Sequence, residues 1–136
     1  FIALKVFNMV LVARQSGEPQ AAVLQMAEAI DGGADLLIFP EGTRNANDNV
    51  LLQPFKSGLY HLAMARPECE LLPVWIHNIQ RVLPKGKLLP VPMLCSVRFG
   101  QPFRGGDFTE KEDFLAFAQA TLLAQQPVLR QEERGL

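Results

Sequence analysis

Within four consecutive positions, Glu41, Gly42, Thr43 and Arg44 bring together a carboxylate, a backbone without a Cβ, a hydroxyl and a guanidinium. That combination suits recognition of clustered anionic oxygens, because a guanidinium grips phosphate or carboxylate through two parallel charge-assisted hydrogen bonds. Gly42 lets the backbone come close or take a positive φ, and Thr43 adds a donor. Glu41 repels a phosphate. Its chemistry is therefore either to orient an arginine or to accept a hydrogen bond from a substrate hydroxyl.

These groups need an element to deliver them, and Leu36-Leu37-Ile38-Phe39 supplies it. Four apolar residues stop at Pro40, which fits a strand covered on both faces, as in a parallel sheet whose ligands bind beyond the carboxyl ends of its strands. Upstream, Val6 to Ala13 reads as another strand, ending at Arg14. Between them, Ser16-Gly17-Glu18-Pro19 signals a helix start. Val23, Met26, Ala27 and Ile30 recur at helical spacing, and Gly32-Gly33 stops the run. Strand, helix and strand make a right-handed β-α-β unit with parallel strands. Neighbouring strands about 4.8 Å apart bring Arg14 and Arg44 to one edge. Two converging cations repel unless an anion joins them, a cost easier to justify in a site than in a scaffold.

Phe39-Pro40-Glu41-Gly42-Thr43-Arg44 resembles the third signature block of the glycerolipid acyltransferase family, which includes the 1-acylglycerol-3-phosphate acyltransferases. Val10-Leu11-Val12-Ala13-Arg14 resembles the second block. Phe55-Lys56-Ser57-Gly58 is similar to the segment that follows the third, and Leu72-Pro73-Val74-Trp75-Ile76 to the fourth, so the resemblance runs from about Val6 to Phe103. The family's first block, a His with an Asp five positions on, has no counterpart: five residues beyond His61 and His77 stand Arg66 and Val82. With the second block so near Phe1, the catalytic block is expected upstream, leaving this chain inactive by itself.

The resemblance implies an α/β fold, a mostly parallel sheet flanked by helices, like that of glycerol-3-phosphate acyltransferases and incomplete at the N-terminus. Residues 1–126 are then the C-terminal part of one acyltransferase domain and 127–136 a charged tail. It implies acyl transfer from an acyl-CoA or acyl carrier protein thioester to the hydroxyl of a lysophospholipid such as 1-acylglycerol 3-phosphate. The general base would be a histidine oriented by an aspartate, with no metal and no bound cofactor. Arg14, Glu41, Gly42, Thr43 and Arg44 are the implied acceptor-binding residues, with Lys56 a weaker candidate. Family members are commonly membrane-associated, so a place on the cytoplasmic face of a membrane is expected.

The 136 residues bound one domain with room for a core. Thirteen basic against fourteen acidic residues give a formal charge of −1, which argues against a general nucleic-acid binder. Cys69 and Cys95 lack metal spacing and read as reduced, packed thiols. No apolar run approaches the ~20 residues that span a bilayer. The remaining elements follow in order. After a polar loop at Asn45 to Asn49, Pro54 opens a helix with Phe55, Leu59, Leu62 and Ala63 on one face, Lys56 and Ser57 in its first turn, and His61 off that face. Leu71 to Ile76 is a strand in which Pro73 marks an edge or a start. Val82 to Leu94, with three prolines, is a long loop whose leucines, Lys85 and Lys87 suit contact with anionic lipid. Leu94 to Phe99 is the last strand. Thr109-Glu110-Lys111-Glu112 is a capping-box pattern before a helix faced by Phe114, Phe117, Ala118 and Thr121. Two readings from other classes stand beside the enzyme: a non-catalytic phosphate-binding module, and a peripheral membrane scaffold resting on the Val82 to Leu94 loop.

Overall fold

A computed structural model of the chain describes residues 19–43, 45, 50–77 and 95–127. Helix α1 spans Pro19–Asp31. Its helical apolar spacing buries Ala27 and half-buries Val23, Met26 and Ile30. The helix ends where the sequence places its stop: the Gly33 N–H donates to Ile30 and the Ala34 N–H to Ala29, with Gly33 at φ 86°. That pair of bonds satisfies carbonyls the last turn leaves open.

Helix α2, Gly58–Ala65, packs on α1 and buries Leu62 and Ala63. It begins at Gly58, four residues later than the sequence reading of Pro54. Just upstream, the Gln53 and Lys56 N–H groups donate to Glu41 and Pro40. Lys56 precedes the helix, and Ser57 is its N-cap without a side-chain capping bond.

The expected strand from Leu71 to Ile76 divides at Leu72-Pro73. Strand β1 is Glu70–Leu71, β2 is Val74–His77, β3 is Ser96–Phe99 and β4 is Phe103–Arg104. β1 pairs with β4 and β2 with β3, both antiparallel, with Val74 opposite Phe99 and Leu71 opposite Phe103. The division at Pro73 follows from its missing N–H, which cannot continue a ladder. Its carbonyl instead accepts the Gly100 N–H at 2.8 Å, tying the two short sheets together at that corner. Helices with small antiparallel sheets are an α/β arrangement. A mostly parallel sheet is not seen among the described residues, whose two strand pairings are both antiparallel. The strand expected at Val6 to Ala13 and the loop Val82 to Leu94 lie outside the described residues, as does the tail beyond Pro127.

Leu36 to Phe39 belongs to no ladder among the described residues, and it is not covered on both faces. Leu36 and Ile38 are half-buried, while Leu37 and Phe39 are 74% and 70% exposed. Alternate side chains of an extended segment point to opposite sides, and only one side here is packed.

After a single 3₁₀ turn at Gly105–Asp107, helix α3 runs Lys111–Leu123. The capping box does not form. Glu110 is the N-cap and makes no side-chain capping bond, while Glu112 faces Lys111 at 3.6 Å. The Thr109 carbonyl accepts a bond from the Tyr60 hydroxyl at 3.4 Å. The apolar face of α3 is as its spacing requires at Phe114 and Ala118, both buried, with Phe117 more open. Gly105 sits against α2 so closely that a Cβ would stand 2.7 Å from that of Ala63. Cys69 is half-buried, whereas Cys95, just before β3, is exposed rather than packed.

Phe114 has no exposed surface. Its ring meets Tyr60 of α2 at 5.7 Å, Phe103 of β4 at 6.1 Å and Phe108 at 5.6 Å between centroids, tilted or edge-on. Such pairs add to simple burial through the ring quadrupoles. Phe114→Ala is expected to cost about 3 to 5 kcal/mol in urea unfolding, and Phe117→Ala clearly less because that ring is already 44% exposed. Equal losses would place the core elsewhere.

The ends of α1 and α2 are joined by Arg66, whose Nε donates to Asp31 Oδ1 at 2.6 Å while Nη2 donates to Oδ2. This bond holds the Asp31 carboxyl below its ordinary range and raises Arg66. A carboxyl lowered by folding stabilises above its unfolded pKa, about 3.9, and loses that contribution as pH falls through the lowered folded value. Arg66→Gln should therefore lower the thermal midpoint at neutral pH by an amount that shrinks below about pH 4. A gap unchanged at about pH 2 would mean that this pair is not its source.

Candidate functional site

The polar block begins in a turn. The Phe39 carbonyl accepts the Gly42 N–H at 3.0 Å, closing four residues with Pro40 second and Gly42 fourth, a placement the commonest β-turn favours. Glu41, half-buried in this turn, accepts the Gln53 backbone N–H on Oε2 at 2.6 Å. Three residues further along, the Lys56 N–H donates to the Pro40 carbonyl at 2.8 Å. Two adjacent turn residues thus hold the segment 53–56 at both ends. Asn45 extends the clasp, its Nδ2 donating to the Val50 carbonyl and its Oδ1 accepting from Gln53 Nε2 at 3.5 Å.

Gly42 stands at φ 70°, a region where an L side chain is strained. The Lys56 stem lies across it, with Cγ 3.1 Å and Cε 3.7 Å from the point a Cβ would occupy. Lys56 and Thr43 are both exposed. The structure therefore brings together Glu41, Gly42, Thr43 and Lys56. Arg14 and Arg44 lie outside the described residues, and so does their expected convergence.

Sequence reasoning missed Gln53, which contributes its backbone N–H; no side-chain pattern announces such a donor. His61 is exposed on α2 with its ring 5.6 Å from Tyr60, and His77 ends β2 opposite Ser96. Among the described residues neither imidazole has an acidic partner, and no three His, Cys, Asp or Glu side chains gather as metal ligands. Nor is any described helix long and apolar enough to cross a membrane.

Gly42→Ala should lower stability by more than about 1 kcal/mol, from backbone strain and from the displaced Lys56 stem. Adding Lys56→Ala relieves the contact but not the φ, so the double variant should recover only part of the loss in chemical denaturation. Full recovery would assign the whole cost to the Lys56 contact.

The acyltransferase family model matches residues 2–77, a span that contains the turn and the segment clasped to it. Similar curated proteins are the 1-acyl-sn-glycerol-3-phosphate acyltransferases of Limnanthes alba and Limnanthes douglasii. Each is 30% identical over 95 residues, covering 67% of this chain and 33% of the relative. The protein of the same name from Cocos nucifera is 28% identical over 98 residues, covering 69% and 31%. The chain spans about a third of the length of these relatives. No solved structure matches it. The family match, covering more than half of the chain and enclosing the Phe39 to Lys56 clasp, carries the conclusion: the chain belongs to the acyltransferase family, alongside proteins named 1-acyl-sn-glycerol-3-phosphate acyltransferases.

Proposed function

We propose that this chain binds the acyl acceptor in an acyltransferase of phospholipid synthesis or remodelling, and that the acceptor is a lysophospholipid with a phosphate, such as 1-acyl-sn-glycerol 3-phosphate. The observation that carries the reading is the family match across the turn and its clasp, supported by the names of the relatives. Arg44 leaves the turn directly after Thr43, and with Arg14 it grips the phosphate; Thr43 donates to it, and Gly42 lets the backbone approach. Fixing the phosphate positions the free hydroxyl for reaction. A histidine general base, oriented by an aspartate, takes the hydroxyl proton as the oxygen attacks the thioester carbonyl. The carbon-sulfur bond breaks, and the thiol of coenzyme A or an acyl carrier protein departs with a proton. We assign that base to neither His61 nor His77. The reaction takes place at a membrane surface on the cytoplasmic face, a placement favoured by the leucines and by Lys85 and Lys87 in the sequence from Val82 to Leu94.

A planar guanidinium and a point charge are separable at Arg44. In the full-length enzyme Arg44→Lys should keep part of the acceptor affinity, and Arg44→Ala should raise acceptor KM about ten- to a hundredfold while donor KM barely moves. His61→Ala in the same assay should change neither. An effect of Arg44→Ala on the donor alone, or on neither substrate in a folded protein, would reject the phosphate grip.

A further inference from the structure

We infer that Glu41 is a positioning residue that serves the phosphate through Lys56, whose ammonium joins the anion-binding groups. The inference rests on the acceptor-binding reading above and deepens it. The Glu41 carboxylate takes the Gln53 N–H at 2.6 Å, and the neighbouring Pro40 carbonyl takes the Lys56 N–H at 2.8 Å. A short segment whose backbone is held at both ends has its Cα–Cβ directions held as well. The Lys56 stem lies across Gly42, the residue before Thr43 in the chain.

Two further facts separate the roles of the acid and the cation. Glu41 is half-buried with one oxygen already occupied, and a carboxylate facing a phosphate repels it. Lys56 is exposed and forms no ion pair among the described residues. An apolar stem packed on a turn with the ammonium left in water is how lysine covers backbone while keeping its charge available. The glutamate thus contributes its acceptor oxygen to the fold, and the lysine contributes its charge to the ligand.

The test uses glycerol 3-phosphate and uncharged glycerol as probes, titrated calorimetrically into the protein and its variants, with thermal unfolding confirming that each is folded. Lys56→Met and Glu41→Ala should each weaken glycerol 3-phosphate binding about tenfold, and the double variant about tenfold as well rather than a hundredfold. Glu41→Gln keeps a carbonyl to accept from Gln53 and should bind as tightly as the unchanged protein. Where Glu41→Ala fails to fold, Gln53→Pro deletes the donor but leaves the carboxylate, and it should reproduce the tenfold loss. Multiplying effects, or loss of binding in Glu41→Gln, would mean that Glu41 meets the ligand itself and would overturn the inference. No effect of Lys56→Met beside a loss in Arg44→Ala would overturn it while leaving the phosphate reading intact. Equal binding of glycerol and glycerol 3-phosphate by the unchanged protein would overturn both.

Discussion

The burial of one ring, Phe114, is the contact on which the packing of the C-terminal half depends. It draws Tyr60 of α2, Phe103 of β4 and Phe108 around it, so a helix, a strand end and the loop before α3 share one apolar centre. Around it the fully buried apolar set among the described residues is small: Ala27, Leu62, Ala63 and Ala118 complete it. Three of those four are alanines, which bury little area but let helices approach closely. The Gly105 contact with Ala63 is the same device between the 3₁₀ turn and α2. Stability in this region therefore comes from an aromatic cluster centred on Phe114 and from close approach at small residues.

The polar block precedes α2 and is held by different forces. Packing does little for it, since Leu37 and Phe39 leading into the turn are exposed. Hydrogen bonds do the holding: the Phe39 to Gly42 turn, the Glu41 to Gln53 bond and the Pro40 to Lys56 bond each satisfy a backbone N–H. Directional bonds fix geometry more sharply than apolar contact does. Just beyond these bonds α2 starts, at Gly58. Its N-terminus lies where the clasp releases the chain.

The most exposed of the large apolar side chains include Leu37 and Phe39 before the turn and Phe99 on β3, where Val97 is also open. Val97 and Phe99 are alternate residues of β3 and stand opposite Ile76 and Val74, so they share one face of the short β2-β3 ladder. β3 is exposed throughout, whereas β2 is half-buried, and α3 contacts β2. The ladder is covered unequally as a result.

Much of this was legible from residues alone. Helical spacing from Val23 to Ile30 and the Gly32-Gly33 stop determined α1, because periodicity and a left-handed C-terminal glycine are local properties. The face of α3 followed equally from the positions of Phe114 and Ala118. The turn at Pro40 and the need for glycine at position 42 were likewise written in residue type, as was the family, carried by a contiguous polar block. What only the tertiary structure decided were the long-range bonds. Glu41 reaches twelve residues ahead to a backbone donor, and no side-chain pattern encodes a partner that is an N–H. Nor does local pattern place the start of α2 at Gly58 or the Lys56 stem on Gly42. Likewise, an apolar run states that a segment favours burial but not which faces are covered, so Leu36 to Phe39 packed on one side only. The antiparallel sense of β2 and β3 was also beyond the sequence, since direction is set by how the chain between them returns.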